Sequence, residues 1–218
     1  MREIGAIIFD LDGVITDTAE YHYLAWKQLA EELGVHFDRA FNERLKGVSR
    51  MDSLHMILDH GGIVLSEEEM NELAHKKNEH YKTFIQQITP DDLLPGILPF
   101  LNEIRAAEIP TALASASKNA RPVIRQLKIE SFLDTIVDAA TVKNGKPDPE
   151  IFLKAADQLA VTPDKCVGVE DAEAGVDSIK AAGMYAVGVG SKKAMAKADW
   201  IIEHPSQLTL KALRGHYG

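Results

Sequence analysis

Asp10-Leu11-Asp12-Gly13-Val14 sets two carboxylates one residue apart at the end of the apolar run Ala6-Ile7-Ile8-Phe9. The run reads as a buried strand, and Gly13 lets the chain turn away at once. Side chains two apart on a strand point the same way, so Asp10 and Asp12 leave the carboxyl end of a sheet together, where open α/β folds bind ligands. Two carboxylates ~4 Å apart repel by roughly 4 kcal/mol at an effective dielectric of ~20. Such a pair calls for a cation, a shared proton or a covalent task. A solvated strand end followed by an ordinary Asp-Gly turn is the alternative, and the pentapeptide by itself does not choose.

A carboxylate that attacks a phosphoryl group needs its charge offset, and magnesium with oxygen ligands is the usual means. Further acid must then arrive from another strand end. Glu170-Asp171 follows the apolar run Cys166-Val167-Gly168-Val169, with Gly175 just beyond. The same two residues also suit a helix N-terminus favoured by the helix dipole. Leu113-Ala114-Ser115-Ala116-Ser117-Lys118-Asn119 offers hydroxyls, an amide and a lysine where a strand runs into a helix, a natural anion site. Ser117 or Asn119 equally fits a plain N-cap. Lys146 lies in Gly145-Lys146-Pro147-Asp148-Pro149, a loop stiffened by prolines on either side of Asp148. A loop lysine is ordinarily solvated surface.

In this fixed order, the D-x-D-G-V loop, the later serine, the lysine beside K-P-x-P and the acidic pair before a helix resemble the haloacid dehalogenase-like superfamily of aspartyl phosphotransferases. The resemblance covers essentially the whole chain. It implies that Asp10 is the nucleophile and Asp12 the general acid/base. It implies that Ser115 and Lys146 stabilise the transferring phosphoryl group. Mg2+ would lie between the Asp10 carboxylate, the Asp12 main-chain carbonyl, Glu170 and Asp171.

Three longer stretches, residues 10–22, 45–50 and 114–119, look more specifically like the branch of that superfamily that moves a phosphoryl group between two positions of a hexose. That likeness implies an isomerase that converts β-glucose 1-phosphate to glucose 6-phosphate, with β-glucose 1,6-bisphosphate as intermediate and primer. A phosphatase acting on small sugar phosphates is the alternative on the same core. The likeness also implies that His22 helps Asp12 swing between working and idle positions, supported by Lys46. Substrate would be held by Asp12, Gly47, Val48, Ser49, Arg50, Ser117, Lys118 and Asn119, with Trp26 beside the sugar. Arg50 offers bidentate phosphate geometry that a lysine lacks. From the residues alone, His22 with Trp26 one turn on reads as a packed interface pair, and Lys77-Asn78 as helix surface by default, with contact to the site as the alternative. A non-enzymatic phospho-receiver also joins acids, a hydroxyl and a lysine, but receivers are shorter and lack a helical segment after the first strand.

These side chains need a frame. Apolar runs at Ile4–Phe9, Pro110–Ala114, Thr135–Val137, Cys166–Val169, Ala186–Val189 and Trp200–Ile202 read as buried strands, mostly separated by helical patterns. That alternation predicts an α/β class fold with a Rossmann-like parallel sheet. From Thr16 to Asp92 the pattern is helical throughout. Starts are marked at Asp17 with Glu20, at Ser49-Arg50-Met51-Asp52 and at Ser66 with Glu69. The expected organisation is an α/β core of residues 1–15 and 93–218 with an inserted α-helical cap domain, residues 16–92.

The bulk properties agree. The 218 residues are 45% hydrophobic and 26% charged, as in an ordinary soluble globular protein. A formal net charge of −9 argues against nucleic acid or an anionic membrane as main partner and does not exclude a locally basic pocket for a small anion, such as the sugar phosphates that the resemblance implies. The N-terminus is too short and too charged before Asp10 for a signal peptide, and no run reaches membrane-spanning length. The single cysteine, Cys166, sits in an apolar run and reads as a buried reduced thiol. A cytoplasmic monomer is the expectation.

Overall fold

The computed structural model describes residues 3–45 and 48–218. In chain order the elements are β1 (Ala6–Phe9), α1 (Ala19–Glu32), α2 (Arg39–Glu43), α3 (Arg50–Gly61), α4 (Glu67–Ile85), α5 (Ile97–Ala106), β2 (Thr111–Leu113), α6 (Ala120–Gln126), β3 (Thr135–Ile136), α7 (Glu150–Gln158), β4 (Cys166–Glu170), α8 (Glu173–Ala181), β5 (Tyr185–Val189), β6 (Trp200–Ile202) and α9 (Leu210–Tyr217). They fall into two compact units, Met1–Asp17 with Thr89–Gly218, and Thr18–Ile88.

In the first unit the described strands form one sheet in the order β3-β2-β1-β4-β5-β6, parallel throughout. Each strand lies on an apolar run read from the sequence, with ends shifted by a residue or two. β1 is central and has no exposed side chain. A strand covered on both faces by helices must be apolar at every position, which is why Ala6-Ile7-Ile8-Phe9 does not alternate. Ala6 and Ile8 join Ala112, Phe152, Val176 and Ile179 in the layer sealed by α7 and α8. The other face carries Phe9, whose ring meets Phe100 of α5 edge-on, with 6.0 Å between centroids. Cys166 is buried, and burial pushes its thiol up to about 11, so it packs as a small apolar residue.

Thr16, Asp17 and residues 89–92 group with this unit, not with the helical insert to which the sequence limits of 16 and 92 assign them. The reason is local pairing. Thr16 Oγ1 donates to the Asp92 carbonyl at 2.7 Å, and Leu94 N–H donates to the Ile15 carbonyl at 2.9 Å.

The second unit is helical and has its own core. Trp26 and Leu29 of α1, Leu54, Ile57 and Leu58 of α3, and Ala74 of α4 pack with Val35, Phe37 and Phe41. Two helix starts form as the sequence predicts. The Ser49 side chain accepts from Asp52 N–H, and Ser66 with Glu69 makes a reciprocal capping box. The Asp17 start differs. Thr18 is the N-cap of α1 without a side-chain cap bond, and Glu20 instead takes a bidentate pair from Arg39 at 2.7 and 2.9 Å. No described helix is long and apolar enough to cross a membrane.

Candidate active site

The chain runs from β1 outward through β2 and β3, then returns to β4 on the opposite edge of β1. That reversal opens a crevice at the carboxyl ends of β1 and β4, where α/β sheets take their ligands. Asp10 stands there as the first residue after β1, with its N–H bonded to the Val169 carbonyl at 3.0 Å. Glu170 ends β4 beside it. On the other flank Ala114 N–H reaches the Phe9 carbonyl at 2.8 Å, which places Ser115 just past the neighbouring strand end. Asp10, Ser115 and Glu170 are all buried.

Lys146 completes the cluster from the loop before α7. Its Nζ lies 2.7 Å from Asp10 Oδ1 and 2.6 Å from Glu170 Oε1. The loop lysine is therefore not solvated surface, because its side chain is 1% exposed. Burial alone would lower its pKa, yet the Asp10 and Glu170 carboxylates carry it above the ordinary lysine value. Burial pushes the Glu170 carboxyl up against the opposing pull of Lys146, and the Asp10 charge adds to the rise. The second oxygen of Glu170 accepts the N–H of Ala172, the N-cap of α8, at 2.8 Å, while the acid in the first turn of that helix is Glu173. The Lys146–Pro147 peptide is cis.

Two glycines bring the acids in. Gly13 has φ 71°, and a Cβ there would fall 2.1 Å from Asp171 Oδ2. A Cβ on Gly175 would fall 2.0 Å from Glu170 Cδ. Oxygens of Asp10, Glu170 and Asp171 all lie within 4.8 Å of one another. Three carboxylates against one ammonium leave two formal negative charges, and every donor is a hard oxygen. That donor set fits a divalent cation of the magnesium type. Asp10, Glu170 and Asp171 would hold it.

Beyond Ser115 the strand-to-helix loop is built from successive hydroxyl turns. Ser115 Oγ accepts Ser117 N–H at 3.1 Å, and Ser117 Oγ accepts Asn119 N–H at 3.2 Å. Asn119 occupies the N-cap position of α6, as the capping reading expects, though without a side-chain cap bond. Lys118 is exposed.

Within the insert, His22 and Trp26 meet residues that sequence reasoning left on the surface. Lys77 is 2% exposed and Asn78 is 8% exposed, which overturns the helix-surface assignment. Lys77 Nζ lies 2.8 Å from His22 Nδ1 and 4.6 Å from the Trp26 ring centroid. His22 also stacks on Tyr81 at 4.0 Å between centroids. Burial, then the charges of Lys77 and Arg50, hold His22 well below its ordinary pKa, so it is neutral near pH 7. Arg50 Nη2 donates to Asn78 Oδ1 at 2.7 Å, and burial lowers its pKa. The signal that finds Lys77 and Asn78 was present. Ala74, Lys77, Asn78, Tyr81 and Ile85 mark one buried stripe along α4 at helical spacing. Ser49 is the N-cap of α3, and Val48 N–H bonds to the Leu45 carbonyl at 3.2 Å. Lys46 and Gly47 lie outside the described residues.

Comparison with known proteins agrees with this geometry. Residues 4–183 match the haloacid dehalogenase-like hydrolase family. The chain is 51% identical to a beta-phosphoglucomutase of Bacillus subtilis over 210 residues, covering 95% of this chain and 93% of that protein. It is 33% identical to a phosphorylated carbohydrates phosphatase of Thermotoga maritima, covering 82% of each. The crystal structure of a beta-phosphoglucomutase from Clostridium difficile superposes with a TM-score of 0.97 at 47% identity, covering 98% of this chain and 97% of that one. With the end of β1 at Asp10, the Lys146 loop and the acidic end of β4 meeting in one crevice, the chain belongs to the haloacid dehalogenase-like hydrolase family.

Proposed function

We propose that this enzyme interconverts β-glucose 1-phosphate and glucose 6-phosphate through a phosphoaspartate. One observation carries the phosphotransferase chemistry: buried Asp10 at the switch point of the sheet, with the Lys146 ammonium 2.7 Å from its carboxylate. The 51% identity to a mutase, against 33% to a phosphatase, supports transfer to sugar over transfer to water.

Phosphorylated Asp10 gives its phosphoryl group to the C6 hydroxyl of β-glucose 1-phosphate while Asp12 takes that hydroxyl's proton. β-Glucose 1,6-bisphosphate results, and the same compound serves as primer. It then turns over in the site. Free Asp10 attacks the C1 phosphorus, and Asp12 returns the proton to the leaving C1 oxygen, which releases glucose 6-phosphate. Ser115 and Lys146 hold the equatorial oxygens during each transfer. Mg2+, held by Asp10, Asp171, Glu170 and the Asp12 carbonyl, would neutralise the nucleophile against the phosphate.

The helical insert acts as the lid that keeps water from the acyl phosphate. Arg50, with Ser117, Lys118 and Asn119, holds the phosphate that is not reacting. His22 and Lys46 steer Asp12, Trp26 lies beside the sugar, and Gly47, Val48 and Ser49 line it. The enzyme works as a cytoplasmic monomer on sugar phosphates. The deciding assay measures glucose 6-phosphate and free phosphate side by side from β-glucose 1-phosphate, with magnesium and the bisphosphate. Predominant glucose 6-phosphate is expected, lost in Asp10→Asn. Predominant free phosphate would favour the phosphatase reading instead.

A further inference from the structure

Lys146 is the one buried residue of the stretch 143–149. Its neighbours Lys143, Asn144, Gly145 and Pro147 are exposed, so burial of their side chains does not fix the loop where it turns toward Asp10. The nearest apolar anchors lie outside it, at Val142 and Ile151. Between these anchors the loop is held by polar contacts that converge on one side chain. Glu150, the first residue of α7, accepts Lys143 N–H on Oε1 and Asn144 N–H on Oε2, both at 2.9 Å. Its own N–H donates to Asp148 Oδ1 at 2.9 Å. Lys154, one turn along α7, pairs with Oε1 at 2.7 Å and also donates to the Thr141 carbonyl.

We propose that Glu150 is a positioning residue for phosphoryl transfer: by clamping the backbone amides of Lys143 and Asn144 to the start of α7, it fixes the loop that delivers the Lys146 ammonium to Asp10. The inference rests on the role given to Lys146 in the reading above. Two parallel N–H donors match the two oxygens of an ionised carboxylate, so the clamp sets both position and direction. Hydrogen bonds from Lys154 and from the two amides hold the Glu150 carboxyl down at about 2, so both oxygens accept at working pH. Ser178 of α8 adds a second tie, donating to the Asp148 carbonyl at 2.6 Å. The loop is thereby strapped to α7 and to α8, the helix that follows the strand end bearing Glu170. A displacement of ~1 Å in a charge-stabilising group costs about 100-fold in rate.

The test is a double-mutant cycle on the whole enzyme, following glucose 6-phosphate formation from β-glucose 1-phosphate. Glu150→Ala should lower kcat by about 10- to 100-fold with KM within about 3-fold, because it moves a group that acts on the transferring phosphoryl. Glu150→Gln keeps one acceptor and should fall in between, and it serves if the alanine variant melts too low to assay. In a Lys146→Ala background, Glu150→Ala should cost less than about 3-fold more, since the two share one task. Equal losses in both backgrounds would show a merely structural Glu150 and overturn the inference. So would wild-type kcat in Glu150→Ala. Wild-type turnover in Lys146→Ala alone would remove the role of Lys146 itself, an outcome separate from the others because Glu150 is intact in that variant.

Discussion

Gly13 and Asp171 approach so closely that a single methyl group on the glycine would overlap the Asp171 carboxylate, 2.1 Å from Oδ2. The turn after Asp10 and the acid that follows the neighbouring strand β4 are thus fitted to each other. Gly13→Ala should cost about 1–2 kcal/mol for the left-handed backbone alone, and more for the displaced carboxylate. Calorimetry should find weakened magnesium binding in this variant, together with a lowered melting temperature. Unchanged metal affinity would mean that Asp171 is not a ligand.

Removing Lys146 leaves Asp10 and Glu170 facing each other without their shared cation. Lys146→Ala should destabilise the fold by ~3–5 kcal/mol, as expected when one partner of a buried ion pair is deleted. Magnesium should restore part of that loss, so the metal-induced rise in melting temperature should be larger than in the wild type. Urea unfolding with and without magnesium reads both effects. An equal rise in the two proteins would contradict the shared-cluster electrostatics.

His22 gives the helical insert a pH dependence of definite sign. Its folded pKa lies below the ordinary value of 6.5, so the unfolded chain takes up the proton first. Its contribution to stability is full above pH ~6.5 and is lost as pH falls from there through the folded value. His22→Gln should flatten that part of the curve. Thermal melts at pH 7.5 and 5.5 on both proteins provide the check, and the same drop in each would exclude His22 as the source.

Asp12 is expected to bind metal through its carbonyl and substrate through its side chain. Asp12→Asn should slow phosphoryl transfer by about 10²- to 10⁴-fold while keeping most of the magnesium affinity. Single-turnover kinetics on the phosphorylated enzyme, beside calorimetry, separates the two roles. A large loss of metal affinity would place the Asp12 carboxylate on the ion.

Much of the core was legible because its signals are local. Ala6-Ile7-Ile8-Phe9 is apolar without alternation, and a strand buried on both faces has to be. Cys166-Val167-Gly168-Val169 carries the same mark. Asp10 and Glu170 each follow such a run, so their place at strand ends could be read directly. Lys146 could not be read that way. Its burial comes from contacts with residues 136 and 24 positions away, and a loop lysine looks solvated until those carboxylates are known. Lys77 was hidden differently. Its stripe along α4 was visible, but a charged residue on a buried stripe is usually discounted, and what admits it is the His22 ring at 2.8 Å. Glu20 looked like a capping residue for α1, and its actual partner, Arg39, lies on a separate helix that local pattern cannot connect to it.

The place of β1 in the middle of the sheet has a consequence for how the molecule is made. The strand that leads into Asp10 is made before the other strands of the sheet, yet both of its edges pair with strands translated far later, β2 and then β4. Until those segments emerge from the ribosome, a short and wholly apolar strand has no lateral partners and is prone to wrong associations. The helices of residues 18–88 are made next and have an apolar cluster of their own to collapse around. The nascent chain can therefore collapse its helical unit before the crevice at Asp10 exists, and that crevice is completed only when the strand bearing Glu170 docks.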